Sequence, residues 1–424
     1  MNAGPVFRRH RLLAAGLVIF TVAVLDAQRR DAFIASRDHA SIQYSSAPTT
    51  DRVARLNERL QRGDASLRFE PATGYLNAVL QALDVPRESQ TLVFSPTSFQ
   101  SEKISVLNPR AVYFGDTVLV GWVRGGDLLE VAAQDPRQGM LFYAIEQRQV
   151  EKPQFRRETQ CLSCHLSWDT LGVPGLMVGS MAPLPDDKYA YATGFNTVQG
   201  SPLEQRWGGW FVTGRHGGAR HMGNIPVMPE DKGKLKLANP RAPLPNVQGL
   251  FDLTGYPTAH SDVVALMVLA HQARMTNLIT RTGWEARVAE TAPGADATAR
   301  VREAAAELVD YLLFVDEADL VAPVQGSSGF AEAFAAAGPR DSQGRSLRQL
   351  DLRTRLFRYP CSYMIYTEAF DALPRMAKDA VVARMMGILT GKEKAPKYAV
   401  LSAADRRAIL EILRETKKGL LPES

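Results

Sequence analysis

The sequence predicts an α+β fold, with a small N-terminal β-meander, a loop-rich middle and a helical C-terminal part. Three observations carry this expectation. Five short apolar runs between residues 91 and 147 are separated by Gly-Asp, Gly-Gly and Asp-Pro turn signals. Residues 152–256 are punctuated by Gly and Pro with few long periodic segments, and beyond residue 262 apolar residues recur at helical spacing. At 424 residues the chain is long enough for two or three packed units. Its 45% hydrophobic, 22% charged and 8% aromatic composition fills a core, which excludes a disordered, collagen-like or multi-span membrane chain.

Residues 1–27 read as a signal peptide or anchor. Arg8, Arg9 and Arg11 precede the uncharged run Leu12–Leu25, which is shorter than the ~18 residues of a spanning helix. Ala27 suits the last residue before cleavage, whereas Leu25 is bulkier than a signal peptidase prefers, so an uncleaved anchor in the inner membrane stays open. Arg11 stands where a twin-arginine signal wants an apolar residue, which points to export of the unfolded chain. Removing this segment takes away three Arg and Asp26, lowering the formal +5 to about +3. No nucleic-acid partner is inferred from that charge.

Residues 28–50 read as a flexible tether, rich in Ser, Thr, Ala and Pro from residue 36 on. Residues 51–150 form the mixed unit: helices over Asp51–Arg62 and Tyr75–Leu83, then strands over Thr91–Phe94, Ala111–Phe114, Thr117–Val123, Asp127–Ala132 and Met140–Gln147. Residues 151–256 are the loop-rich middle. Residues 257–424 carry helices over Asp262–Arg281, Thr298–Glu317, Phe330–Ala337, Met376–Leu389 and Ala403–Thr416, packing on that middle. Gly283 is read as the stop of the first, and Ser402 with Asp405 as a capping box for the last.

Of three cysteines, two lie in Cys161-Leu162-Ser163-Cys164-His165. Two thiols three residues apart can add to the two vinyl groups of one haem, and the adjacent histidine is then held under the iron. Cys161 and Cys164 are therefore the expected thioether anchors of one haem c, and His165 the proximal iron ligand. A thioredoxin-like reading lacks its strand and helix context, and a zinc reading lacks a second cysteine pair. Cys361, in Tyr359-Pro360-Cys361-Ser362-Tyr363, reads as a buried, unreactive thiol.

The sixth iron ligand separates electron carriers from haem enzymes. His271 is the first candidate, lying mid-helix on a face with Val264, Met267, Val268, Met275 and Leu278; the competing reading is a core histidine. His221, Met222 and Met228 are further candidates. The run Arg206–Asn224 concentrates Gly, Arg, Trp and His, suited either to approach a flat cofactor or to form a strand with Gly-rich turns and core Trp residues. Six Arg between Arg340 and Arg358 suggest either a docking patch for an acidic redox partner or a helix surface laced with ion pairs.

Cys161–His165 resembles the haem site of c-type cytochromes. The longer run, including Arg206–Asn224, Gly338–Tyr363 and the helix bearing His271, is similar to exported bacterial proteins described as cytochrome c domain-containing. A minimal class I cytochrome domain needs ~100 residues, and this chain is about four times that length. Two-haem bacterial peroxidases are excluded as a template, because a second Cys-x-x-Cys-His is absent. The expectation is an exported, periplasmic monohaem cytochrome serving a redox partner protein. The alternatives are a peroxidase-like haem oxidoreductase with His216 or His221 as acid/base, or a haem-based sensor.

Overall fold

The computed structural model describes residues 32–181, 194–224 and 242–422. The signal or anchor expected over residues 1–27 and the candidate Met228 lie outside the described residues.

Helices α1 (Arg52–Arg62) and α2 (Leu76–Ala82) lead into an antiparallel meander. Its strands are β1 (Thr91–Val93), β2 (Arg110–Phe114), β3 (Val118–Trp122), β4 (Leu128–Asp135) and β5 (Gly139–Glu146). Period-two patterning sets the register: Leu129, Val131 and Ala133 face inward from β4 and pair with Ile145, Tyr143 and Leu141 of β5. At the β4–β5 turn, Asp135 accepts from the backbone N–H of Arg137 and Gln138. Gly139 follows with φ 85°, and a Cβ there would come 2.5 Å from Thr280.

The loop-rich middle completes this sheet at both edges. Strand β6 (Arg156–Arg157) pairs with β5, and β9 (Trp210–Phe211) pairs with β1, giving seven strands in the order β6-β5-β4-β3-β2-β1-β9. Between them lie helix α3 (Leu162–His165) and a two-stranded ribbon of β7 (Gly179–Ser180) and β8 (Phe195–Asn196).

The C-terminal part is helical: α4 (Val263–Thr291), α5 (Ala295–Leu312), α6 (Phe330–Ala336), α7 (Glu368–Asp371), α8 (Arg375–Leu389) and α9 (Ala403–Thr416). Asp262 caps α4 through Val264 N and Ala265 N, while its other oxygen accepts from Ser327 and Ser328. The Ser402–Asp405 capping box is present as the sequence predicts. Helix α4 runs past the expected stop to Thr291, because Gly283 lies in its interior with Leu373 packed above it. By length and a mean hydropathy of 1.2, α4 matches a membrane span, yet 94% of its most apolar window is buried inside the protein. It is the central core helix, and α5 packs along it with the Arg274–Glu307 and Arg300–Glu285 pairs at the seam.

Two expectations are corrected. Residues 32–50 are not a loose tether: Phe33 and Tyr44 are buried against Trp284 of α4, at ring separations of 5.1 and 6.3 Å. The Tyr44 hydroxyl donates to Met140 O, and Arg157 lies over the Tyr44 ring. The apolar residues of this stretch have no period, but each of these meets a tertiary partner. The arginine-rich segment is built of turns rather than helix. Its Arg345, Arg348 and Arg355 pair with Asp341 and Glu411, with Asp116, and with Asp405.

Candidate functional site

The Cys161–His165 motif sits at the β6 edge of the sheet. Tyr143 pairs with Arg157, and Glu158 N donates to Phe142 O, so the chain leaves the sheet in a fixed direction before a tight turn and α3. Leu162 is buried and anchors the turn, while Cys161 is half-buried and Cys164 exposed. Burial first, then Glu130 and Glu158, push the Cys161 thiol up to about 11. Trp168, in the turn that follows, is 60% exposed.

His165 is held by a reciprocal clamp. Its Nδ1 lies 2.8 Å from Gly175 O, and Gly175 N donates to His165 O at 2.9 Å. A carbonyl can only accept, so Nδ1 carries the proton and Nε2 presents a lone pair. Among the described residues Nε2 has no hydrogen-bond partner. Burial holds the imidazole below the ordinary histidine range, and the Phe142 ring packs 4.8 Å from it.

The clamp is backed by α4. Asn277, buried in that helix, accepts from Leu176 N at 2.8 Å and donates to Leu176 O at 2.7 Å. A Cβ on Gly175 would come 2.3 Å from Asn277 Oδ1, so this position requires glycine. On the other side Phe33 N donates to Leu171 O, which ties residues 32–50 to the loop between His165 and Gly175. Sequence reasoning missed Gly175 and Asn277. The Pro174-Gly175 pair shortly after the motif is the local signal that marks the first; Asn277 carries none.

The attachment atoms fit a haem: two reachable thiols and an oriented, neutral imidazole with one nitrogen unpartnered. Two small pockets, each of about 10 Å³, lie among the described residues. The second is lined by Leu176, Arg274 and Asn277, behind the clamp. Among the described residues no three His, Cys, Asp or Glu side chains converge to hold a metal ion.

His271 has both nitrogens engaged, the arrangement of the core histidine that the sequence left open beside the iron-ligand reading. Nδ1 donates to Gln199 Oε1 at 2.8 Å, and Nε2 accepts from Ser362 Oγ at 2.7 Å. The ring stacks on Tyr311 and Phe314, and burial lowers its pKa to about 3. Cys361 is likewise fully buried, and burial pushes its thiol far up.

The Arg206–Asn224 run forms a closed loop against β9 and β7. Arg206 is buried and donates to Ser201 O and Gln199 O; Trp210 Nε1 donates to Gly179 O. Asn224 pairs both side-chain atoms with the Val212 backbone. Trp207 and Trp210 are therefore core residues. Met222 Sδ lies 3.8 Å from Ser180 Oγ, and His216 and His221 are buried edge to face at 4.8 Å. Among the described residues none of His216, His221, Met222 and His271 makes a hydrogen bond or ring contact with His165. Comparison with family models, with curated proteins and with solved structures finds no match to this chain.

Proposed function

We propose that this chain is an exported monohaem c-type cytochrome that passes electrons to or from a redox partner protein. The observation that carries the reading is the His165–Gly175 clamp inside a Cys-x-x-Cys-His motif: it fixes the tautomer and leaves Nε2 free beside two reachable thiols. Bound there, haem c supplies a one-electron iron couple. Cys161 and Cys164 would hold it through two S–C bonds, and His165 Nε2 would face the metal. The Nδ1–H bond to Gly175 raises the basicity of that ligand and stops the ring turning. Phe142 keeps water from one side of the imidazole. The export signal read in residues 1–27 supports a periplasmic location, where c-type haem is attached.

Expression with a c-type maturation system tests this. One covalent haem per chain should survive a denaturing gel and disappear in Cys164→Ala; undiminished covalent haem in that variant would overturn the assignment. Optical spectra in both oxidation states, with carbon monoxide and peroxide added in turn, separate the readings. A low-spin iron indifferent to both supports an electron carrier. Ready uptake of either supports the peroxidase-like enzyme or the sensor.

A further inference from the structure

Among the described residues, five ring nitrogens without hydrogen-bond partners are gathered in the interior beside β9: Nδ1 and Nε2 of His216, Nδ1 and Nε2 of His221, and Nε1 of Trp207. The three residues are 2%, 3% and 0% exposed. The imidazole centroids lie 4.8 Å apart at 78°, and the Trp207 ring lies 5.9 Å from His221. Buried polar atoms are ordinarily paired, so an unpaired set of this size requires a ligand or a structural explanation.

The backbone around these side chains is, by contrast, well bonded. Ala219 N donates to His216 O, and Met222 N to Arg206 O. Arg215 and Gln325 exchange both backbone bonds at 2.8 Å. Gly217, at φ 59°, would bring a Cβ 2.4 Å from Ala322, so the loop is pinned against the segment before Gln325. Trp207 itself is held at φ 69°, a left-handed conformation unusual for a bulky residue. The fold thus fixes the loop closely while leaving the nitrogens it carries unsatisfied.

The chemistry of these groups selects the ligand. An imidazole nitrogen that carries no proton offers a lone pair. The Gly223 backbone approaches the His221 ring from one side. An anion would want charged donors, whereas imidazole lone pairs suit a borderline transition-metal ion. Two imidazoles bound to one ion at ~2.0–2.1 Å, at an angle between 90° and tetrahedral, place their centroids about 5 Å apart. The observed separation matches.

We propose that His216 and His221 form a two-imidazole site for one transition-metal ion of the copper or zinc class, distinct from the haem at His165, with Trp207 Nε1 donating to an exogenous ligand of that ion. The remaining coordination positions are taken by water or a small molecule. None of these residues belongs to the attachment motif, so the site stands independently of the cytochrome reading.

The test uses the full haem-loaded protein, treated with a chelator, equilibrated with Cu²⁺ or Zn²⁺ and desalted. Elemental analysis should find one copper or zinc per chain beyond iron, and the Cu²⁺ form should show nitrogen coupling in its electron paramagnetic resonance spectrum. His216→Phe and His221→Phe should each lose the ion, and Trp207→Phe should weaken it about 10–100-fold. Metal should raise the melting temperature of the wild type and leave both histidine variants unchanged. His216→Gln and His221→Gln repeat the test with polar replacements should the Phe variants fail to fold.

Absence of a second metal in the wild type overturns the proposal, as does an ion retained by the double variant. A changed haem spectrum in either single variant also overturns it, because that imidazole would then be an iron ligand. Failure of the cytochrome reading shows separately, as missing covalent haem on the gel.

Discussion

Four of the imidazoles away from the surface, those of His271, His165, His216 and His221, form a series. Among the described residues His271 has both nitrogens bonded, His165 has one bonded and one unpartnered, and His216 and His221 have none bonded. His271 is 0% exposed and the pair 2% and 3%, so dryness does not distinguish them. What distinguishes them is whether the surrounding fold supplies complementary atoms. Gln199 and Ser362 complete His271, and the Gln199 amide is itself oriented by donating to Tyr311 O. Among the described residues no such atoms complete the His216–His221 pair. A buried histidine is thus structural where its partners are complete, and a candidate ligand where they are missing.

The largest expected effect lies at the saturated end. His271→Ala removes a stacked ring and leaves Gln199 Oε1 and Ser362 Oγ without their partner. Cavity and unsatisfied polar atoms together should cost about 3–5 kcal/mol, measured by denaturant unfolding. The optical spectrum of the haem should stay unchanged in the protein that folds. A shifted spectrum would break the comparison by restoring His271 to the iron.

His165 stands in the middle of the series, and its clamp can be tested through a residue that makes no contact with a cofactor. Gly175→Ala drives a Cβ into Asn277 Oδ1, and overpacking of this kind should cost about 1–3 kcal/mol. Because Gly175 O fixes the His165 tautomer, the variant should also incorporate less covalent haem than Gly63→Ala, a control that strains the α1 cap and meets no neighbouring atom. Equal haem content in the two would separate the clamp from attachment.

At the unsatisfied end, His216→Phe and His221→Phe should leave stability within about 1 kcal/mol of the wild type when metal is withheld by a chelator. Each replacement removes buried polar atoms that have no partners to lose. A loss of several kcal/mol would show that the pair is structurally completed in solution.

This series explains how much was legible in the sequence. The meander could be read because its alternating runs and turn dipeptides are local, and the Ser402–Asp405 box because a cap is local too. Strands β6 and β9 could not be, since two residues carry no period and only pairing with β5 and β1 makes them strands. Residues 32–50 resembled a tether because Phe33, Ile42 and Tyr44 follow no spacing; Trp284 and Met140, which receive Phe33 and Tyr44, are far along the chain. Cys161, Cys164 and His165 stood out because their spacing is local, five consecutive residues that can be read without any tertiary partner. His271 could be read either as a ligand or as a core residue because helical periodicity reports burial alone, whereas its partners stand 72 and 91 residues away.

The last effect concerns pH. Burial depresses His221 to about 4 in the folded protein, against about 6.5 in the unfolded chain, and His216 beside it acts in the same direction. Between those values the unfolded chain holds a proton that the folded protein lacks, so lowering the pH favours unfolding. The stability contribution is full above about pH 6.5 and falls as pH drops toward about 4, at up to about 1.4 kcal/mol per pH unit for this one group. With metal withheld, His221→Phe should therefore lose stability less steeply than the wild type over that window, and the two curves should run parallel above about pH 7. Parallel curves at every pH would mean that His221 exchanges its proton as freely in the fold as outside it. That outcome requires water at the ring, and it would take His221 out of the set of dry, depressed imidazoles to which His271 also belongs.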